Sequence, residues 1–175
     1  MADVMIDIET MGTRPDCVVL TLGAVKFNPL DISAPMEELY IKLDIDQQIQ
    51  MDRSVDQSTM DWWHKQAEAV REEAFGTAGR ISVEDAINSL SKFMDGTKCI
   101  WAQGPQFDMT ILEDLCRTAK LKQPWRYSSV RDSRTLFAVL GDQRPKDKPA
   151  AHNALADCYY QVQGVQACFQ SLVDK

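Results

Sequence analysis

Near the start of the chain two acids, Asp7 and Glu9, stand two positions apart inside the run Asp3 to Glu9. In an extended strand, residues i and i+2 share a face, so both carboxylates project together beside Met5 while Val4, Ile6 and Ile8 fill the opposite face. Adjacent carboxylates repel unless a cation lies between them. Hard divalent ions such as Mg²⁺ take carboxylate oxygens together with substrate phosphate. The pair is also compatible with the solvated face of an edge strand. A third acid, Asp108, falls in the first turn of a helix predicted over 106–119 and shares a stripe with Ile111, Leu112 and Leu115. A carboxylate on a buried stripe is costly without a cation, a helix dipole or hydrogen bonds. Glu113 and Asp114 fall off that stripe and read as solvated charges.

His152 and Asp157 lie five positions apart in His152-Asn153-Ala154-Leu155-Ala156-Asp157. On one continuous helix their side chains would diverge by about 140°, from roughly 100° per residue. They meet at one site only if His152 precedes the helix, which Asn153 as N-cap and Pro149 upstream allow. A neutral histidine there suits a general base near neutral pH, whereas a lone histidine is more often a surface or cap residue. His64 has no such companions and reads as a surface residue.

Bringing these residues together requires a sheet and helices. Strand patterns cover 3–9, 17–27 (closed by Asn28-Pro29) and the neighbourhood of 39–43. Ser58 or Thr59 is placed to cap a helix through Trp62-Trp63. Ser82 and Asp85 have capping-box spacing ahead of Val83, Ala86, Ile87, Leu90, Phe93 and Met94, with Gly96 at the end. A short buried strand is predicted over 98–102, a helix over 106–119 after Gly104-Pro105, a strand at 129–131 and a last helix over 153–172. On the stripe of Asp157, the small residues Ala154, Gly164 and Cys168 permit close approach to a sheet. Three strands followed by helix-strand-helix-strand-helix predict a mixed α/β sheet carrying helices.

Composition narrows the function. With 45% hydrophobic and 26% charged residues, no repeats and no linker, the 175 residues exclude wholesale disorder, and one domain is expected over 1–175. No apolar run approaches the roughly 20 residues of a membrane span. The acidic N-terminus lacks the basic start of a signal peptide. Five cysteines without a C-x-x-C pair suit reduced thiols in a cytoplasm, and two histidines without a ligand-spaced cluster argue against structural zinc. The net charge of −7 argues at first against a polyanionic partner. Between Arg117 and Lys148, however, nine Lys/Arg oppose three acids, so this segment carries +6 and the remainder −13. Such asymmetry suits a phosphate-binding face beside a metal site, or a solvated surface of mixed charge.

Asp-Ile-Glu-Thr at 7–10, Gly-Pro-Gln-Phe-Asp at 104–108 and His-Asn-Ala-Leu-Ala-Asp at 152–157 resemble, in order and spacing, the three exonuclease motifs of the DnaQ-like superfamily. The His-x4-Asp third motif resembles the DEDDh branch. The Trp62-Trp63 segment and Arg131-Asp132-Ser133-Arg134-Thr135-Leu136 are similar to the compact group of phage DexA-type exonucleases and RNase AS. The resemblance implies an RNase H-like fold, a mixed five-stranded sheet flanked by helices, forming a single 3′-5′ exonuclease domain. It implies two divalent metals, Mg²⁺ or Mn²⁺. Asp7 would bridge them, Glu9 and Asp157 would complete one site, and Asp108 would serve the other, with His152 as general base. It also implies contacts to substrate from Thr10, Met11, Gly12 and Phe107, and from the basic residues Arg131 and Arg134. Relatives often carry Asn where Gln103 stands, which puts that contact in question.

Four carboxylates offset two divalent cations, so a scissile phosphate meets an approximately neutral site, and two metals clamp the attacking and leaving oxygens. The expected reaction is 3′-5′ removal of 5′-mononucleotides from single-stranded DNA or RNA 3′ ends. The expected setting is the cytoplasm of a bacterial or phage-infected cell, with no membrane partner. Rival readings are a non-catalytic nucleic-acid-binding module of the same fold, an exoribonuclease dedicated to RNA 3′-end processing, and an endonuclease of the wider RNase H-like group. Choice between polymers rests on contacts to the 2′-OH, which the sequence does not display. A homodimer is compatible with small members of the group, and Trp62-Trp63 suits an interface, the substrate path or simple packing.

Overall fold

A computed structural model describes residues 2–147 and 152–173. The run of alternating residues at the N-terminus forms β1 (Asp3–Thr10), which lies between β2 (Val19–Phe27) and β5 (Ile100–Ala102). It is therefore an inner strand, and its carboxylates do not lie on a solvated sheet edge. β2 pairs antiparallel with β1 and with β3 (Glu37–Leu43), whereas β5 runs parallel to β1 and to β6 (Val130–Asp132). The sheet has six strands, one more than expected. β4 (Arg80–Ile81), too short to carry a period, pairs in parallel with Lys42 and Leu43 at the edge, giving the order β4-β3-β2-β1-β5-β6.

Helices cover both faces. α1 (Ile45–Gln50), α2 (Gln57–Trp63) and α3 (Glu68–Phe75) follow β3; α4 (Val83–Phe93) and α5 (Pro105–Thr118) flank β5; α6 (Ser133–Leu140) and α7 (Ala154–Val173) follow β6. Val4, Ile6 and Ile8 join Val83, Ile87, Leu90, Ile111, Leu112 and Leu115 in one core layer. Met5, Val25 and Phe27 join Trp101, Phe137, Cys158, Val162 and Val165 in the layer on the other face. Asp7 and Glu9 share the face of Met5, so they lie under α7. Ser82 caps α4 as its spacing predicts, accepting from the Asp85 amide at 3.0 Å. For α2 the N-cap is Asp56; Ser58 and Thr59 donate their hydroxyls to its carboxylate instead.

Two readings from helical spacing need correction. Asp114 is not solvated: it is buried, and its carboxylate pairs with the buried Arg53 at 2.9 Å and with Arg117. Arg53 in turn donates to the carbonyls of Cys17 and Pro15, so the acid neutralises a cation that clamps the loop after β1. Gly164 does not face the sheet; a Cβ there would meet Arg144 Cγ at 2.4 Å and the Phe137 ring at 3.0 Å. Close approach of α7 to the sheet occurs instead at Gly23 of β2, where a Cβ would lie 2.4–2.5 Å from the Ala154 carbonyl carbon and oxygen. All five cysteines are buried and free. Among the described residues no helix is long and apolar enough to cross a membrane.

Candidate active site

Three elements bring the acids together. On β1, Asp7 is paired in register with Gly23, and the irregularity between Glu9 and Thr10 ends the regular ladder beside the carboxylates. Because Gly23 has no side chain, the first turn of α7 rests on the β2 backbone, and Cys158 donates its thiol to the Gly23 carbonyl at 3.3 Å. Asp157 thereby reaches Asp7 and Glu9: single carboxylate oxygens of the three lie within 4.8 Å of one another.

Asp108 arrives from the opposite side. Pairing of β5 with β1 stops at Met5–Trp101, and the chain turns at Gly104 with φ +98° into α5, where Pro105 sets the first turn. The Asp108 carboxylate then accepts the Ile8 amide of β1 at 3.3 Å. It lines, with Asp7 and Asp157, one cavity of about 240 Å³.

This crowding is electrostatically adverse in the protein alone. Burial, reinforced by Asp108, Glu9 and Asp157, holds the Asp7 carboxyl well above the usual carboxylate range. Burial pushes Asp108 up to about 7, against the opposing pull of the Ile8 amide and Arg134. The donors are all oxygens, a set that fits hard divalent cations.

His152 precedes α7 with φ +67°, and Asn153 caps the helix by accepting the Ala156 amide at 3.0 Å. Pro149, expected to help this turn, lies outside the described residues. The His152 ring packs edge-on against Trp62, centroids 4.6 Å apart. Trp62 itself is partly exposed and touches Trp63, which is buried and donates its indole N–H to the Thr10 carbonyl at 2.9 Å. A groove of about 290 Å³ beside the acids is walled by Glu9, Thr10, Gly12, Trp62, Trp63 and Phe107. Met11 is not in that wall: it packs behind Leu20 and Trp63, and its backbone bonds Val18 and Asp56.

Beyond Phe107 a wider recess of about 620 Å³ is lined by Gly104, Pro105, Asp132 and Arg134. Asp132 accepts from the Gly104 and Arg134 amides, joining the α5 turn to α6. The Arg134 guanidinium occupies the space where a Gly104 side chain would stand, at 2.9 Å from an ideal Cβ. Arg131 is not brought to these walls, since its guanidinium donates to the carbonyls of Ser128 and Val130. Gln103 lines the acidic cavity and accepts from Arg144 at 2.7 Å.

Three lining residues, Arg144, Tyr160 and Gln161, are absent from the motif reading. Arg144 is chelated by Asp142 and lies over the Phe137 and Tyr160 rings. It belongs to the basic 117–148 segment, whose charge excess does not single out one residue. Gln161 follows Asp157 by one helical turn, so the i+4 spacing carried the signal.

The sequence matches, over residues 2–169, the family described as the 3′-5′ exoribonuclease Rv2179c-like domain. The exodeoxyribonuclease of Enterobacteria phage T4 is 28% identical to the chain, over 90% of this chain and 85% of the phage protein. The nuclease domain of 3′hExo, a DEDDh family member solved bound to rAMP, superposes with a TM-score of 0.61 at 15% identity, over 97% of this chain and 92% of that one.

Proposed function

The chain belongs to the Rv2179c-like 3′-5′ exoribonuclease domain family and is a 3′-5′ exonuclease, and from that premise we propose that it removes 5′-mononucleotides from the 3′ ends of single-stranded RNA or DNA. The observation that carries this reading is the convergence of Asp7, Glu9 and Asp157 within 4.8 Å, with buried Asp108 in the same cavity.

Asp7, Glu9 and Asp157 would hold one divalent ion, Mg²⁺ or Mn²⁺, and Asp108 would help to hold a second. When bound, these ions supply the positive charge that stabilises the attacking and leaving oxygens of phosphodiester hydrolysis. The chain's own groups do the rest. His152 accepts a proton from the attacking water, whose oxygen forms the new bond to phosphorus as the bond to the upstream O3′ breaks. Trp62 sets the orientation of the His152 ring. The groove between Trp62 and Phe107, with Thr10 and Gly12, receives the terminal sugar and base. Arg134, in the recess beyond Phe107, holds the phosphate on the upstream side.

The test is digestion of matched 5′-labelled single-stranded RNA and DNA oligomers with Mg²⁺ or Mn²⁺, beside an Asp7→Ala control. A ladder shortening from the 3′ end, absent in the control, is the expected result, and the faster polymer names the substrate. No shortening of either polymer overturns the reading.

A further inference from the structure

The side chain of Gln161 is enclosed, with 5% of its surface exposed, yet it lines the cavity that holds the acids. Its Nε2 donates to Asp7 Oδ1 at 2.9 Å. With Asp7 ionised, as a metal ligand is, this bond fixes which way round the amide lies, because an amide oxygen turned toward the carboxylate would be repelled. Oε1 is then committed to the other side, where among the described residues no donor reaches it. A buried carbonyl without a donor is uncommon in folded proteins and costs free energy, which the amide bears here in presenting Nε2 to Asp7. The other cavity groups explain why the protein leaves it so. Asp108 and Asp157, when ionised, are acceptors, Arg144 is held by Asp142 and Gln103, and Tyr160 donates its hydroxyl to the Pro145 carbonyl at 2.9 Å.

We infer that Gln161 is a positioning residue for the divalent cation: its Nε2 locks the Asp7 carboxylate in the ligating orientation. The inference rests on the metal-dependent reading of the site. Partners that orient metal ligands in this way typically alter metal affinity by roughly 10–100-fold when removed. Gln161 lies one turn beyond Asp157 on the rigid interior of α7, so both residues are carried by the same helix surface and move together.

The experiment is calorimetric titration of Mn²⁺ into EDTA-stripped, dialysed protein. Wild type is compared with Gln161→Met, which keeps length and volume but neither donates nor accepts, with Gln161→Ala, and with Asp7→Asn. The expected result is Mn²⁺ affinity lowered at least tenfold in both Gln161 variants. In digestion assays the Mn²⁺ concentration for half-maximal rate rises in parallel, KM for the oligomer is unchanged, and kcat is largely restored at saturating Mn²⁺. A purely structural role would lower the melting temperature and leave the Mn²⁺ affinity of the folded protein alone. If either Gln161 variant folds and binds Mn²⁺ as wild type does, the inference is overturned while the metal site stands. If wild type itself binds Mn²⁺ no better than Asp7→Asn, the metal-site reading fails and this inference with it.

Discussion

Replacing Asp108 by asparagine is expected to stabilise the metal-free protein at neutral and alkaline pH while abolishing its nuclease activity. Asp108 is buried among other acids, with its carboxyl pushed up to about 7. In the unfolded chain the same carboxyl titrates near 3.9. Between these values the folded state binds more protons than the unfolded state, so stability falls as pH rises through that window. The full difference amounts to up to about 4 kcal/mol above pH 7, since each pH unit is worth about 1.4 kcal/mol. Asparagine is neutral throughout and its Oδ1 can still accept the Ile8 amide, so the variant lacks this pH dependence. For a chain of this size about 1 kcal/mol corresponds to 2–4 °C, which gives a gain of up to roughly 8–16 °C near pH 8 and almost none near pH 4. The assay is differential scanning fluorimetry in EDTA from pH 4 to 9. Adding divalent ion should narrow the gap, because a ligand at 100 times its Kd stabilises the wild type by about 2.7 kcal/mol. An Asp108→Asn protein that melts below wild type at pH 8 in EDTA would refute the reasoning.

Four further outcomes follow from single contacts. Gly23→Ala drives a methyl into the Ala154 backbone, so it should cost about 1–3 kcal/mol and weaken Mn²⁺ binding by shifting Asp157, read by melting and calorimetry. Trp62→Leu removes the ring packed on His152 and should lower kcat roughly 2–12-fold, the rate equivalent of an aromatic contact of about 0.5–1.5 kcal/mol, with little change in melting. Arg134→Ala, placed on an inactive Asp7→Asn background, should reduce the slope of log affinity for single strands against log salt by about 0.7, measured by fluorescence anisotropy; an unchanged slope removes Arg134 from the strand path. Asp114→Ala leaves Arg53 buried without its partner and should cost about 3–5 kcal/mol, visible as a fall in melting temperature of roughly 10 °C.

Long, strongly periodic segments were legible in advance. β1, β2, α4, α5 and α7 fall within a few residues of their sequence patterns, because a period of two or 3.6 reports locally which face is apolar. α1, α3, β4 and α6 were not separately legible. They span two to eight residues, too few turns for a period to stand out, and they form because the sheet and its neighbours hold them. Asp114 shows the limit from another side: it lies off the apolar stripe of its own helix, yet Arg53, 61 positions away, comes to meet it.

By itself the sequence determined which residue types could do chemistry and on which local face each stands: Asp7 with Glu9 on one strand face, Asp108 on the buried stripe of a helix start, His152 ahead of Asp157. Only the tertiary structure decided how these faces meet. The approach of α7 over Gly23, the Ile8 amide offered to Asp108, the Trp62 ring against His152 and the Gln161 amide on Asp7 are contacts between residues 90 to 154 positions apart in the chain, counted pair by pair. Local spacing fixes the direction of a side chain relative to its own backbone, but contacts across such separations depend on how layers pack, and packing is settled by the whole core at once.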